Sequence, residues 1–523
     1  PGTDTAIAMA LCNHIIENNL QDQEFCDCWC YGFDEFAEHV SQYPVSFAAE
    51  TCGVPEDLIV EAARKIGRAK SCCLQWGVAM DHTSEGFVTG MAAYDLMALT
   101  GNFENPGGML AADPAFGMSV TWSPRGSVWD ECSEPIPHPE RKNHGGYKAL
   151  EAMNGISPDA LLEAMETGEP YMPQMMWVHG TNPIANMGGD APRIYRAWQN
   201  VPYTVVVDYY LTPTAVAFAD LVLPVAMSVE RDSFRSWWQP LRTMTAAAGR
   251  YYECMMDEEL VFYLGKRFNP DFFNQFETVR DFLTWMIQDD GNGVPYTFED
   301  LTHTVYDYWD WNETYHKYEK GLLRPDGQPG FNTPSGRIEL YNTNLMLWGY
   351  DPLPDFKEPS CSPVSSPELA EKYPLVLTTG ARSFEFFHSE HRQLDTSREF
   401  HPDPLFEMSP AAAEAAGISE GDWAWIENQR GRCRQKLHVN PSLDDRVVRA
   451  EHGWWFPEQE AAEPVLFGVF DSNINNLLPQ CENGPTGYGA PYKNQLCRVY
   501  ACTEENSAEL PTACVTRKDG YSK

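Results

Sequence analysis

Met175-Met176-Trp177-Val178-His179-Gly180-Thr181-Asn182-Pro183, followed further on by Thr204-Val205-Val206-Val207-Asp208, is the stretch that decides the fold. Met175–His179 is an apolar run of strand length, and Gly180 to Pro183 turns the chain. A helix is expected near Ala191–Trp198, and Thr204–Val207 reads as a second strand ending at Asp208. Strand, helix and strand make a β-α-β unit, which implies a parallel sheet and a right-handed crossover. Residues 212–224 repeat the plan in short form, with a helix and then the strand Leu221–Leu223. The fold class is therefore α/β, with half of a doubly wound domain at its centre. Met175-Met176-Trp177 is assigned to the core of that sheet.

Working outward, 523 residues predict two to four domains of roughly 150 residues. Residues 1–112 read mainly as helices: Ile7, Leu11, Ile15 and Ile16 keep helical spacing, and Pro55-Glu56 opens a helix through Ala69. Ser71–Gly77 is a short strand candidate, a helix follows from about Ser84 to Thr100, and Gly101–Gly108 is a turn-rich loop. Residues 113–170 are set apart as an irregular insertion, its first part rich in Pro, His and Trp. The α/β region is taken as 171–350, with helices and loops beyond residue 250, and a Pro- and Ser-rich linker as 351–370. Beyond it, 371–502 is mostly β. Lys372–Thr379 is a strand, Ser409-Pro410 starts an Ala-rich helix, and Arg430-Gly431 joins the strands Trp423–Glu427 and Cys433–Val439 as a hairpin. The tail, 503–523, is polar.

Net charge is −38, from 37 basic against 75 acidic residues, which excludes a binder of nucleic-acid backbone. No apolar run approaches the ~18 residues of a membrane span. Fifteen cysteines form no disulfide framework, being odd in number and scattered. Cys26-Asp27-Cys28-Trp29-Cys30 on a helix would splay its sulfurs around the axis, and no CxxC occurs in the chain. The chain opens at Pro1 on a helix start that Thr3 or Asp4 is expected to cap, and it reads as a fragment or a processed product.

Three constellations could carry chemistry. In open α/β sheets ligands gather beyond the carboxyl ends of strands, where Gly180 and Asp208 fall. Gly180 allows close backbone approach, and a partly desolvated Asp208 could accept the two adjacent N–H groups of a guanine base; alternatively it caps the next helix. The second is Thr378-Thr379-Gly380-Ala381-Arg382 with His388-Ser389-Glu390-His391-Arg392, cationic groups behind a Gly turn that suit phosphate or another anionic ligand. The third, Glu451-His452-Gly453-Trp454-Trp455 with Asn473, Asn475 and Lys493, is weak, because adjacent tryptophans are more often packing than recognition. No Walker loop, GxSxG elbow or HExxH helix is present.

Together these segments resemble the dimethyl sulfoxide reductase family of molybdopterin enzymes over nearly the whole chain. Pro1-Gly2-Thr3-Asp4-Thr5-Ala6 is similar to the segment after the family's first nucleotide-binding half, and Leu99–Asn102 with Asn105–Gly108 to its following helix-to-loop signature. Gly180-Thr181-Asn182-Pro183, Asp208, Thr212, Thr214 and Ala219–Pro224 resemble the second nucleotide-binding half. Thr379-Gly380 through His388, Gly417-Ile418 with Gly421-Asp422, and Gly453-Trp454-Trp455 resemble the C-terminal double-psi-type β-barrel. The resemblance implies a bis-molybdopterin guanine dinucleotide carrying molybdenum or tungsten, and anaerobic metabolism. It implies that Gly2, Thr3 and Asp4 contact one dinucleotide, that Trp76 and Gly77 form a loop over the pterins, and that Gly180, Thr181, Asn182 and Asp208 hold the other guanine end. Thr379, Gly380, Arg382, His388 and Ser389 would wrap pterin and phosphate, with Asn475 and Lys493 as late contacts.

The departures concern the metal itself. The family's N-terminal cysteine cluster for a 4Fe–4S centre and the segment supplying the metal's axial ligand have no counterpart, so no catalytic or metal-ligating residue is assigned. The implied companions are that missing N-terminal part and an electron-transfer iron–sulfur partner, besides a small-molecule substrate. Thr379–Arg392 and Ser472-Asn473-Ile474-Asn475 are most similar to the branch with acetylene hydratase and catechol dehydroxylases. That branch implies reductive removal of an aromatic hydroxyl, or a hydration, with residues 113–150 as a candidate substrate funnel. The alternatives are a non-catalytic structural subunit that retains the fold, or one chain of a split enzyme. A bacterial or archaeal source is implied, cytoplasmic or exported folded.

Overall fold

The computed structural model describes residues 1–110, 146–152, 157–235, 241–288, 295–305, 314–480 and 483–507. Most of the proposed funnel, residues 113–145, and most of the polar tail lie outside the described residues.

The decisive β-α-β unit forms a parallel three-stranded sheet in the order Met176–His179, Thr204–Asp208, Leu221–Pro224. Helices Ala191–Trp198 and Pro213–Phe218 are the crossovers, each with a proline in its first turn. Strand alternation sends Val178 and Val206 into a core with Ile194, Tyr195, Trp198 and Phe218. Val205 and Val207 enter a second cluster with Val225, Leu223 and Leu260, the last from the helix Asp257–Phe268. Both faces are covered, as a doubly wound sheet requires.

Met175 and Trp177 are not sheet core: they are 49% and 39% exposed. Their strand is an edge, and Trp177, paired in register with Val205, lies beyond the cluster around Leu260. Ser71–Gly77 forms no strand either. Two of its backbone N–H groups go to side chains, Cys72 to Asn102 Oδ1 at 2.7 Å and Leu74 to Met109 Sδ at 3.2 Å. The helix Asp4–Glu17 starts at the expected place, but its cap residue Thr3 makes no side-chain bond to it, and Asp4 lies inside the first turn. Contrary to the expected splaying of all three sulfurs, the buried Cys26 and Cys30 thiols meet in a hydrogen bond, because Cys30 lies four residues on and just past the helix end, while Cys28 is exposed. No cluster of three or more metal-ligating side chains exists among the described residues, and none of their helices is long and apolar enough to cross a membrane.

The chain then returns to its beginning. Tyr318, Leu323, Phe331 and Leu340 join the core of the N-terminal helices, and Ile338–Glu339 pairs in parallel with Cys30–Tyr31.

The β region closes into a six-stranded barrel. Around it run Trp423–Asn428, Gly431–Val439, Leu405–Met408, Val447–Glu451, Leu375–Ala381 and Gln495–Ala501, the last pairing back to the first. The hairpin is antiparallel as expected, while Gly431–Val439 with Leu405–Met408, and Val447–Glu451 with Leu375–Ala381, are parallel pairs. Leu377, Phe406, Ile426, Leu437 and Val448 fill the interior. Trp455, Leu466, Phe467 and Phe470 reach out of the barrel region into the core around Trp198, so the barrel and the sheet share packing.

Candidate functional site

A cationic pocket forms where the strand Leu375–Ala381 ends. Thr379 Oγ1 donates to the Tyr492 carbonyl at 2.7 Å, and Lys493 Nζ donates to the Thr379 carbonyl. Gly380 has φ +82°, and a Cβ there would lie 2.5 Å from Lys493 Nζ. Glycine is what admits the lysine. The guanidinium of Arg382 stands 4.5 Å from the centre of the Phe387 ring. His388 Nδ1 and His452 Nε2 are 2.7 Å apart. His82 arrives from the helical region, its carbonyl accepting Tyr492 N–H at 3.2 Å and its ring 5.4 Å from that of Tyr492.

The pocket's walls are braced by neutral groups. Ser389 Oγ accepts from Asn186 Nδ2 at 3.1 Å, and the Ser389 carbonyl accepts Trp455 Nε1–H at 2.7 Å. Arg392 is buried between the Phe386 and Trp454 rings, 3.8 and 4.4 Å from their centres, and donates to the His388 carbonyl at 2.9 Å. Asn473 accepts from Gly453 N–H at 3.3 Å and Asn475 N–H at 3.2 Å, and donates to the Ala185 carbonyl at 2.8 Å. One fully buried amide thus ties sheet to barrel.

Burial and mutual repulsion drive these bases toward neutrality. His82 is lowered to about 4, by burial and then by Lys493. His452 falls to about 3, by burial and then by His388. His388 is lowered by burial and Arg382, Lys493 goes to about 8 by burial and Arg382, and burial lowers Arg392 to about 9. In a chain of net charge −38, Arg382 and Lys493 placed together without a carboxylate between them favour the approach of an anion.

The second site is the crevice at the strand ends. Gly180 takes φ +59° with no atom within 4 Å of where a Cβ would stand, and its N–H donates to the Val207 carbonyl at 2.9 Å. Asp208 does not cap the following helix; Thr212 does, accepting Ala215 N–H at 3.2 Å. Instead Asp208 Oδ1 accepts Tyr209 N–H at 2.7 Å and Tyr210 N–H at 3.4 Å, and burial pushes the carboxyl up. Asn182 Oδ1 accepts from Thr214 Oγ1 at 2.7 Å, while its buried Nδ2 has no hydrogen-bond partner among the described residues. Thr181 is exposed. Beside them, His179 Nε2 lies 2.6 Å from Asp257 Oδ1, and Arg231 pairs with the same carboxylate.

Residues 1–237 match the family model described as molybdopterin oxidoreductase, and residues 375–495 match the molydopterin dinucleotide binding domain. The chain belongs to the molybdopterin oxidoreductase family. It is 27% identical over 499 residues to acetylene hydratase of Syntrophotalea acetylenica, covering 89% of this chain and 65% of that one. It is 25% identical over 560 residues to dopamine dehydroxylase of Eggerthella lenta, covering 91% and 53%. The solved structure of acetylene hydratase from Pelobacter acetylenicus superposes with a TM-score of 0.82 at 26% identity, over 96% of this chain and 70% of that one. The chain therefore spans 53% to 65% of the length of these two curated relatives.

The residues present fit a molybdopterin dinucleotide. The Gly380–Lys493 wall offers cations to phosphate, and the Asn182 Nδ2 and His452 Nδ1 atoms are buried polar groups lacking partners among the described residues. Other residues singled out by sequence surround this arrangement unevenly. Gly2, at φ +86°, packs on Pro359 and on Asn494, the neighbour of Lys493, while the Thr3 carbonyl faces the Cys52 thiol at 3.5 Å and Asp4 is exposed. Trp76 donates to Asp81 at 3.1 Å and stacks on Tyr94, and with exposed Gly77 it leads through the helix Val78–Asp81 into His82. Asn475 is buried, and its neighbour Asn473 makes the tie between domains. Sequence reading missed His82, Asn186 and the His179–Asp257–Arg231 group, and undervalued His452. Only His452 carried a signal, lying beside Gly453 and the paired tryptophans.

Proposed function

We propose that this chain grips both ends of a bis-molybdopterin guanine dinucleotide carrying molybdenum or tungsten, as the cofactor-holding portion of an oxidoreductase. The carrying observation is the pocket that brings two cations, Arg382 and Lys493, together with three neutral imidazoles, His388, His452 and His82, around a glycine turn. When bound, the cofactor supplies the redox or Lewis-acid chemistry, its dithiolenes holding the metal. The residues of this chain bind and orient it. Arg382 and Lys493 pair with phosphate oxygens, Asp208 offers its second carboxylate oxygen to the N–H groups of guanine, and Gly180 lets the base approach the backbone.

Similarity to acetylene hydratase and dopamine dehydroxylase supports a hydration or the reductive removal of an aromatic hydroxyl as the reaction. The 4Fe–4S cluster, the residue reaching the metal and an electron-transfer partner are assigned to the complementary portion of the assembly. The test is anaerobic purification of the assembly followed by metal analysis and assay of guanine nucleotide released by acid. Molybdenum or tungsten with guanine nucleotide is the expected result. Absence of both metals and of guanine would refute the reading and favour a structural subunit that keeps the fold.

A further inference from the structure

The His388–His452 contact holds a feature that simple anion binding does not require. Nδ1 of one ring and Nε2 of the other are 2.7 Å apart, so one proton must lie between them, with one ring donating and the other accepting. The remaining nitrogen of His452, Nδ1, is buried with no partner among the described residues. We propose that His388 and His452 are a proton-sharing pair that takes up one further proton from solvent when a doubly charged phosphate or sulfate group enters the pocket. This rests on the anion-pocket reading of the proposed function.

The charged groups facing the pair favour its neutral form. From the segment after the strand Leu375–Ala381 come Arg382, Glu390 and Arg392; Glu390 Oε2 already accepts the backbone N–H of His388 at 3.0 Å. From the end of the strand Val447–Glu451 comes Glu451, whose Oε2 accepts Leu405 N–H and lies 3.0 Å from His401 Nε2. Lys493 precedes the last barrel strand, and His82 and Asp81 come from the helical region, Asp81 being held by the Trp76 indole. The nearby acids are thus occupied by other donors, and the cations keep their charge.

Without an anion, then, the pair is neutral. A dianion meeting Arg382 and Lys493 removes the repulsion that keeps it so. The remaining nitrogen of His452 is buried away from solvent, and burial together with His388 and Arg392 disfavours its charged form, so the arriving proton resides on His388. Both nitrogens of His388 then donate: Nδ1–H to His452 Nε2, and Nε2–H to the anion. The balance is one anion and one solvent proton in, with no bond broken. A phosphate oxygen gains a charge-assisted donor that the anion-free protein does not carry.

The test uses the full chain produced in a host that makes no molybdopterin, titrated calorimetrically with sodium sulfate at constant ionic strength. Sulfate keeps its charge from pH 6 to 8, so any proton exchanged belongs to the protein. Titrations in two buffers of different ionisation heat give the proton count. The expected result is uptake approaching one proton per sulfate, with affinity weakening by up to about ten-fold per pH unit as pH rises. His388→Gln abolishes the uptake and flattens the pH profile up to the region near 8 where Lys493 titrates. His452→Gln, which keeps an acceptor for the His388 N–H, retains the uptake, while His452→Leu lowers its midpoint; circular dichroism confirms each variant is folded. Sulfate binding by the wild type without buffer-dependent heat overturns the proton-sharing pair and leaves the pocket reading standing. Uptake that persists in His388→Gln at pH 6 to 7, below the region where Lys493 titrates, also overturns it. Failure of the wild type to bind sulfate removes the pocket reading itself.

Discussion

Asn473→Ala is the most direct test of how the site is held. Asn473 is fully buried, and its amide serves three buried backbone groups: Gly453 N–H, Asn475 N–H and the Ala185 carbonyl. Alanine leaves all three unpaired. Each orphaned buried group costs about 1–3 kcal/mol, and partial relaxation in a close-packed junction brings the sum to roughly 3–5 kcal/mol. Asn186→Ala removes one side-chain bond, to Ser389 Oγ, and costs about 1 kcal/mol by the same reasoning. Urea unfolding followed by tryptophan fluorescence measures both, since Trp198 and Trp455 lie in the shared core between sheet and barrel. Sulfate affinity should fall in Asn473→Ala as well, because the Gly453 loop carries His452. A loss of less than about 1 kcal/mol relative to the wild type, or no difference from Asn186→Ala, would refute the claim that this amide joins the domains.

Gly380→Ala combines a left-handed backbone position with a Cβ 2.5 Å from Lys493 Nζ, so stability should drop by about 1–2 kcal/mol and sulfate affinity with it. Calorimetry and urea midpoints check both, and unchanged affinity counts against the Lys493 assignment. Asp208→Asn keeps an acceptor for Tyr209 and Tyr210 N–H but replaces the second oxygen with a donor, so the purified assembly should lose half of its guanine nucleotide without unfolding. Nucleotide assay after acid release decides it; full content would place guanine elsewhere. For pH, His82 at about 4 in the fold against an ordinary 6.5 means that the unfolded chain binds more protons between those values. The anion-free protein therefore keeps this stability above pH 6.5 and loses it as pH falls toward 4, and sulfate should restore part of it in urea midpoints taken at pH 7, 5.5 and 4.5.

The β-α-β unit was legible because Thr204–Val207 and its turn residues obey local rules, and Trp423–Val439 because Gly431 marks the hairpin. Closure of the barrel was not. It depends on Leu405–Met408 lying parallel to Lys436–Val439 and on Gln495–Ala501 reaching back to Ala424–Glu427, pairings that leave no local periodicity. The same limit misplaced Trp177, since an apolar run looks alike in a central strand and at an edge. Ser71–Gly77 has strand composition, but side chains of Asn102 and Met109 take the Cys72 and Leu74 N–H groups. Thr379, Gly380, Arg382 and His388 were visible as a contiguous motif. His82 was invisible, because it joins them only through the fold, by way of Tyr492.

How the cations are held explains why the pocket stays receptive. The chain carries 75 carboxylates, enough to pair with every base in the site, yet the site uses carbonyl oxygens and aromatic faces instead. Lys493 donates to the Thr379 carbonyl, and Arg392 to the carbonyls of His388 and Glu390 between two rings, while Arg382 lies against Phe387. A carbonyl dipole or a ring fixes the direction of a cation without cancelling its charge. A carboxylate in the same place would orient the side chain equally well and leave no field for a phosphate to enter. Burial without neutralisation lowers the stability of the anion-free protein, and an entering anion returns that loss as affinity. The same side chains that make this acidic protein weakest without an anion are thus the ones that make the pocket selective for anions.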